Sequence, residues 1–395
     1  MANNIQKIIK KYEKDLVSLR HDLHQNPEIG MKESKTADKL KKLLTSWGYS
    51  ISKETFANTG FVATLKNGNS KKAIGLRCEM DALPIEEVNS LPYASKNKGI
   101  MHACGHDGHM TMVMGAARYL AETKNWNGTL RIFCQPNEEA SGNISGGLKM
   151  IQDGVFKKYP VDQIFAIHNM PAFAIPNGKP GGLYFYMKED GIMAGIDVYN
   201  IKLTGNGGHG SAPEFAKDVI TCAADMVMAL QSIVSRNIPA SDRAVLNVGS
   251  IHSGNAANVI PETAEIAVST RSVTHKTRAK LKERIYQIVN SIAAAYEIKA
   301  DIWTDGTGPT INDPKANAYA RKIAEKALGK DLVNDAIQMM ASEDFSAMLD
   351  VIPGSYAFIC NDTATMVHND KFNFDDKVIV NGSTYFSALV EDYLK

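Results

Sequence analysis

The segment Met101–His109 reads MHACGHDGH and concentrates one thiol and three imidazoles in nine residues. Residues of the same chemical kind lie far along the chain: the adjacent carboxylates Glu138 and Glu139, His168 after an apolar run, and His368 near the C-terminus. Side chains so widely separated can meet only where a fold brings distant strand ends and helix starts together. This distribution is typical of a catalytic metal site, because the ligands of a local zinc-binding loop come in short paired spacings.

Length and composition predict a globular protein of two domains. A chain of 395 residues exceeds the size of one ordinary core. The formal net charge of +1 gives no electrostatic reason to bind nucleic acid or an anionic membrane surface. The N-terminal residues lack the apolar core of a signal peptide, and no stretch approaches the about 18 to 20 apolar residues of a membrane span. We therefore expect neither nucleic acid nor a membrane among its partners.

The cysteines indicate a reducing compartment. The five lie far apart and are odd in number, which is not the pattern of a disulfide framework, so a cytoplasmic location is expected. Cys78, Cys134, Cys222 and Cys360 lie in apolar strand-like or helical patterns and are predicted to be small buried core residues. Only Cys104 has chemically suggestive neighbours.

Alternating strand and helix patterns predict an α/β layer structure with a largely parallel sheet. Apolar residues at helical spacing cover residues 5–25, 35–47, 106–122, 146–153 and 314–328, and strand-like runs cover 61–65, 73–78, 129–134 and 164–168.

A second pattern follows a stretch rich in proline and glycine at 175–191. It runs in the order strand 196–204, helix 213–235, strands 244–251 and 261–271, helix 276–296 and strand 298–303. This βαββαβ order is that of a ferredoxin-like split βαβ sandwich, which can form a small domain by itself. We therefore predict an inserted domain at 189–306, with residues 1–188 and 307–395 forming one discontinuous domain.

Cys104 and His106 can both face one ion, because residues two apart point the same way in an extended segment. Gly105 between them lets the backbone approach closely, and a helical pattern begins at about His106. The alternative is a buried cysteine beside surface histidines.

Glu138 and Glu139 follow the strand-like run TLRIFC, at the position where α/β sheets place their sites. Adjacent carboxylates there can divide the work, one binding a metal and the other carrying a proton. His168 ends the run IFAIH, and His368 lies in MVHND; each is also compatible with a structural histidine. Together with the cysteine segment they supply a donor set that suits zinc, manganese, cobalt or nickel, as one ion or as two that share the thiolate.

His209 lies in GNGGHGSAP, a glycine-rich turn before a helical pattern. It is either a loop histidine without a function or a donor that stabilises an oxyanion. The segment is not a phosphate-binding P-loop, because it lacks the Gly-Lys-Ser/Thr ending.

The motifs as a set resemble those of the metallo-aminoacylase/carboxypeptidase superfamily, in its branch of aminoacylase-like amidohydrolases. They are, in order, LRHDLHQNPEIG, LRCEMDALPIEE, MHACGHDGH, QPNEEASG, AIHNMP, GNGGHGSAP, SEDF and VHND, from about residue 17 to 376. The resemblance implies an aminopeptidase-like catalytic domain with a mainly parallel sheet, and an inserted lid domain through which the chain forms a homodimer. It also implies a metal-dependent hydrolase of small N-acyl amino acids that requires one or two divalent ions.

The resemblance assigns roles to individual residues. Glu138 falls on the general acid/base, Asp81 on a residue that orients a ligand, and His209 on the lid histidine that stabilises the tetrahedral intermediate. Asn258 and Arg271 fall on positions associated with gripping the substrate. The implied metal ligands are Cys104, His106, Glu139, His168 and His368.

The sequence departs from the family pattern at three places, none of which removes a ligand, and the last two bear on substrate specificity because they lie near the expected substrate cleft. Glu79 stands where aspartate is usual, ASGNISGG follows the glutamates instead of a glycine-rich run, and Ala341-Ser342 precedes the SEDF acids where glycine is commoner.

A dipeptidase or carboxypeptidase, which uses the same centre on a peptide bond, is the alternative enzyme. A non-catalytic binding protein would have no need of Glu138, which is not expected to bind metal. A structural zinc protein fits the ligand spacing less well.

Overall fold

The computed structural model describes residues 2–139 and 144–395. The helices are α1 (Ala2–Ile9), α2 (Glu13–Gln25), α3 (Ser34–Ser46), α4 (His106–Thr123), α5 (Gly146–Gln152), α6 (Val155–Lys158), α7 (Val219–Leu230), α8 (Ser232–Asn237), α9 (His275–Ala295), α10 (Pro314–Leu328), α11 (Phe345–Leu349) and α12 (Ile379–Tyr393). The strands are β1 (Ser50–Ile51), β2 (Phe61–Asn67), β3 (Ala73–Glu79), β4 (Gly128–Gln135), β5 (Gln163–Pro171), β6 (Leu183–Phe185), β7 (Gly195–Thr204), β8 (Gly208–His209), β9 (Ala244–Ser253), β10 (Val259–Ile260), β11 (Thr263–Ser272), β12 (Lys299–Thr307), β13 (Val333–Asp335) and β14 (Gly354–Asn361).

The chain divides into two compact units. The larger one comprises residues 1–189, 312–337 and 344–395, and the smaller one comprises residues 190–311 and 338–343. The short segment 338–343 belongs to the smaller unit although it follows the return of the chain to the larger one, which the sequence pattern did not indicate.

One mixed sheet organises the larger unit, with the strand order β1-β2-β4-β3-β5-β14-β6-β13. Its middle strands β4, β3, β5 and β14 are neighbours and run parallel. Every residue of β3 and β14 is buried, as expected for parallel strands that are covered on both faces. The predicted fold class, α/β with a mainly parallel sheet, is confirmed. Parallel strands also bring their carboxyl ends to one edge of the sheet, where such folds place ligands.

Helix α4 is the central helix of this unit. Nearly all of its residues are buried, and it packs against α12, α2 and β3. The predicted helix at 5–25 forms as two helices, because a 3₁₀ turn at Lys10–Tyr12 separates α1 from α2. The predicted core cysteines Cys78, Cys134 and Cys360 are fully buried.

The smaller unit contains an antiparallel sheet in the order β12-β7-β11-β9. Alternate residues of β7 are buried, because one face of the sheet packs on α7 and α9 while the other is more exposed. The predicted βαββαβ order is confirmed. Helix α7 begins at Val219 rather than at 213, because the Asp218 carboxylate accepts hydrogen bonds from the backbone N–H groups of Ile220 and Thr221 and caps the helix there.

One helical stretch is more apolar than the sequence pattern predicted for any segment. Residues Val219–Asn237 contain an 18-residue window with a mean hydropathy of 1.3, which by length and composition alone is enough to cross a membrane. A third of that window is buried, and Cys222, Met226 and Ile233 lie fully buried in the core of the smaller unit.

Candidate metal centre

The five implied ligands all lie at the carboxyl edge of the parallel strands. His168 belongs to β5, Glu139 follows β4, and His368 follows β14. His106 is the first residue of α4, and Cys104 precedes it by two residues, with Gly105 between them. Four chain segments separated by tens to hundreds of residues therefore converge on one edge of the sheet.

The distances between donor atoms are those of a single cluster. The Sγ atom of Cys104 lies 3.2 Å from Nε2 of His168 and 3.3 Å from Nε2 of His368. The same His368 nitrogen lies 3.1 Å from Oε1 of Glu139. Glu138 lies beside the cluster, with Oε2 3.8 Å from Nε2 of His106.

Among the five implied ligands and Glu138, three overlapping groups of three residues have donor atoms within 4.8 Å of one another. They are Cys104, His106 and His168; Cys104, Glu139 and His368; and His106, Glu138 and Glu139. Cys104, His106 and Glu139 each belong to two of these groups. The donor set is large enough for one ion or for two, the two arrangements that the sequence left open.

The backbone around Cys104 requires a glycine. Gly105 has φ +92°, in the left-handed region that side chains disfavour. A Cβ atom there would lie 2.3 Å from Nδ2 of Asn169, which donates a hydrogen bond to the carbonyl of Cys104 at 2.6 Å. The backbone N–H of His368 donates to the carbonyl of Ala103 at 2.8 Å and so attaches the C-terminal ligand to the same segment.

His106 is oriented by Asp81. Its Nδ1 donates to the backbone carbonyl of Asp81 at 2.8 Å, so that Nε2 faces the cluster. Among the described residues, that Nε2 has no hydrogen-bond partner although it is buried. A buried polar atom of this kind is costly unless a cation satisfies it, so the residues fit a metal ion.

The pKa shifts point to the same fit. Burial raises the pKa of the Cys104 thiol well above its usual value, and the carboxylates of Glu139 and Glu138 raise it further. Burial would lower the pKa of His106, but the hydrogen bond and charge of Asp81, with Glu79 and Glu139, raise it to about 10. Protons thus occupy the ligand atoms of Cys104 and His106. A metal ion would displace these protons, because metal ligands release protons on binding.

The carboxylate of Asp81 also holds the turn that carries the paired glutamates. Its Oδ2 accepts a hydrogen bond from the backbone N–H of Glu139 at 3.0 Å. The side chains of Glu138 and Glu139 are 8% and 10% exposed, so both are largely shielded from bulk water. Residues 140–143, the first half of the departure ASGNISGG, lie outside the described residues.

A buried layer behind the ligands was not predicted from the sequence. Nε2 of His109 accepts a hydrogen bond from the backbone N–H of Asn169 at 2.9 Å, so its Nδ1 carries the hydrogen and donates to Glu79 at 3.2 Å. Arg77 forms an ion pair with the same glutamate and another with Asp344 at 2.8 Å. The two-residue spacing of Arg77 and Glu79 in a strand, which places them on one face, was the available signal.

The remaining predicted residues belong to the smaller unit. His209 is exposed on the two-residue strand β8, opposite Val259 of β10, and the carbonyl of Asn258 accepts a hydrogen bond from the N–H of Gly210 at 2.9 Å. Nδ1 of His209 accepts a hydrogen bond from the N–H of Ser211 at 3.2 Å, which leaves the ring hydrogen on Nε2. Arg271 is half-buried in β11 and donates to Oγ of Ser342 at 3.2 Å.

Comparison with known proteins identifies close relatives over most of the chain. The pattern of Peptidase family M20/M25/M40 matches residues 75–392. Hippurate hydrolase of Campylobacter jejuni is 42% identical over 379 residues, covering 95% of this chain and 96% of that protein. N-acetyl-L-cysteine deacetylase of Bacillus subtilis is 38% identical over 376 residues, covering 95% of this chain and 86% of that protein.

A solved structure agrees with the sequence relatives. The crystal structure of a Bacillus subtilis protein described as a dinuclear metal-binding peptidase of the M20 family shares 28% identity. It covers 98% of this chain and 99% of its own, with a TM-score of 0.81. The resemblance inferred from the motifs, and the hydrolase class that accompanies it, are thereby confirmed. The chain belongs to peptidase family M20/M25/M40.

Proposed function

We propose that the chain is a metal-dependent amidohydrolase that cleaves the amide bond of small N-acyl amino acids at the cluster around Cys104. The observation that carries this proposal is the convergence of one thiol, three imidazoles and the carboxylate of Glu139 on one cluster, with the second carboxylate, that of Glu138, beside it. The named activities of the relatives, hippurate hydrolysis and N-acetyl-L-cysteine deacetylation, support the substrate class.

The ligands proposed are Cys104, His106, Glu139, His168 and His368. These residues would hold one or two divalent ions of a kind suited to thiolate, imidazole and carboxylate donors: zinc, manganese, cobalt or nickel. When bound, such ions polarise the acyl carbonyl and lower the pKa of water towards about 7.

Glu138 is proposed as the general acid/base. Glu138 takes a proton from a water molecule as the oxygen of that water attacks the carbonyl carbon. It then delivers a proton to the amine nitrogen as the C–N bond breaks. The products are a carboxylic acid and a free amino acid. The position of Glu138, 3.8 Å from His106 and shielded from bulk water, supports this role.

His209 is proposed as the donor that stabilises the oxyanion of the tetrahedral intermediate. The hydrogen on its Nε2 supports this role, because a neutral imidazole with that tautomer presents an N–H group. Asn258 and Arg271 are proposed to bind the carbonyl or carboxylate of the substrate. The smaller unit is proposed as a lid through which two chains form a homodimer in the cytoplasm.

A substrate panel on the metal-reconstituted protein tests the activity. N-benzoyl and N-acetyl amino acids and unblocked dipeptides are assayed with manganese and with zinc. We expect kcat/KM for the best N-acyl amino acid to exceed that for every dipeptide by tenfold or more. A preference for dipeptides would replace the proposal with a dipeptidase or carboxypeptidase.

Bound metal measured for Cys104→Ser should fall below that of the unaltered protein.

Mixing two inactive variants tests the dimer and the lid together. If His209 of one chain serves the centre of another, Glu138→Ala and His209→Ala proteins should regain activity as hybrid dimers. No recovery, with subunit exchange verified by differently tagged chains, would show that His209 acts within its own chain or has no catalytic role.

A further inference from the structure

We propose that Glu33 is a positioning residue, which fixes the turn that carries Glu138 and Glu139. The inference rests on the proposed role of Glu138. Nothing in the local sequence MKESK distinguishes Glu33 from a surface charge, yet its side chain is fully buried.

The carboxylate of Glu33 connects three segments. Oε1 accepts a hydrogen bond from the backbone N–H of Asn137 at 2.9 Å and one from that of Met31 at 3.1 Å. Oε2 accepts a hydrogen bond from Oγ1 of Thr59 at 2.6 Å. Asn137 directly precedes Glu138, so one buried side chain joins the start of α3 to the first residue of the turn.

The turn adopts a backbone conformation that needs such support. Asn137 has φ +49°, in the left-handed region where only a few per cent of non-glycine residues lie and where asparagine is enriched. Its side chain lies close to the backbone of Gly30, where a Cβ atom would be 1.9 Å from Oδ1 of Asn137. Its amide nitrogen donates to the carbonyl of Ile144 at 3.2 Å.

Two buried carboxylates therefore hold the turn from its two ends. Glu33 accepts from the N–H of Asn137, and Asp81 accepts from the N–H of Glu139 at 3.0 Å. Glu138 lies between these two attachment points. Loss of the first would leave a buried N–H without its acceptor and release the turn on that side. A displacement of about 1 Å can lower a rate by about a hundredfold.

Glu28 provides a matched control. Glu28 precedes α3 in the chain, and its carboxylate lies against the first turn of that helix. It accepts hydrogen bonds from the N–H and Oγ1 of Thr36, both at 2.9 Å. Its contacts stabilise the helix start rather than the turn. Glu28→Ala therefore tests whether any loss of hydrogen bonds in this region has the same effect as loss of Glu33.

The kinetic test compares Glu33→Ala, Glu33→Gln and Glu28→Ala at a temperature at which all three are folded. We expect Glu33→Ala to lower kcat about ten- to a hundredfold while KM changes less than threefold. Glu33→Gln should stay within threefold of the unaltered protein, because its amide oxygen can accept both backbone N–H groups and its nitrogen can donate to Thr59. Glu28→Ala should keep its kcat. Equal kcat values for the two alanine variants would overturn the proposal.

Hydrogen–deuterium exchange on the metal-free proteins gives a readout that is independent of activity. Peptides covering 134–139 should lose protection in Glu33→Ala and keep it in Glu33→Gln and Glu28→Ala. Unchanged protection in Glu33→Ala would overturn the positioning role even if kcat fell. Full activity of Glu138→Ala would instead refute the proposed function, while the exchange result still decides the role of Glu33. If Glu33→Ala does not fold, Glu33→Asp, whose shorter side chain cannot keep all three contacts, takes its place.

Discussion

The donor cluster of the larger unit and the His209 loop of the smaller unit are built in opposite ways. Cys104, His106 and His168 are buried, and neighbouring backbone and side-chain groups hold them in place. His209 is exposed on a two-residue strand, and its ring contacts Ser211 two residues away. Buried donors held from several sides favour one geometry, which a metal centre requires. An exposed imidazole on a glycine-rich loop can instead meet and leave a substrate in every turnover.

The largest expected effect is on Glu138, the proposed proton carrier. Glu138→Gln keeps the size of the side chain but removes the base, so we expect kcat to fall roughly 10⁴-fold. Bound metal should stay unchanged, because Glu138 is not among the proposed ligands, although its carboxylate lies within 4.8 Å of the donor atoms of His106 and Glu139. Steady-state kinetics with metal analysis of the same samples checks this. Metal loss in parallel with activity would instead make Glu138 a ligand.

Removal of the metal tests whether the two regions differ in stability as well as in exposure. A ligand at a thousandfold its Kd stabilises the folded state by about 4 kcal/mol. Chelation should therefore lower the free energy of unfolding by an amount of that order. Urea titrations with and without metal measure it, and hydrogen exchange should place the loss at 101–106 and 134–139 rather than at 205–212. Equal loss of protection in the donor cluster and in the His209 loop would contradict the idea that the metal stabilises only the cluster.

His209→Ala tests the other side of the comparison. Loss of one oxyanion donor typically costs about 10² to 10³ in kcat. The imidazole is exposed, and its hydrogen bonds are with Ser211, two residues away. The melting temperature and the bound metal should therefore not change. Kinetics, thermal unfolding and metal analysis of one preparation check the three statements together. A shift in melting temperature would mean that the histidine is structural.

The sequence predicted the buried cluster better than its support. Glu139 and His168 were identifiable because they lie at the ends of strand patterns, and parallel strands bring such ends to one edge. Cys104 was identifiable from its two-residue spacing to His106, where a helical pattern begins. Strands β6 and β13 are too short, at three residues each, to show a periodicity. Glu33 has no local signal at all, since its importance depends on Asn137, 104 residues further along the chain. His109 was visible as a third imidazole, but its partner Asn169 was not.

The smallest expected effect concerns Glu33 and its pH dependence. Burial raises the pKa of its carboxyl to about 7, aided by the negative charge of Asp81 and opposed by the hydrogen bonds from Thr59 and Asn137. The folded state therefore favours the protonated form, and the stability that this form provides is complete below about pH 4.5 and is lost as the pH rises through 7. The Glu33→Gln protein has no such proton to lose.

Relative to Glu33→Gln, the metal-free protein should thus lose roughly 2 to 3 kcal/mol of unfolding free energy between pH 5 and pH 8. Urea unfolding of both proteins across that range, with chelator present throughout, measures the difference. Parallel curves would mean that folding does not raise the pKa of Glu33. Its hydrogen bonds to the turn would then offset its burial in full, and the attachment of Asn137 would be stronger than its environment indicates.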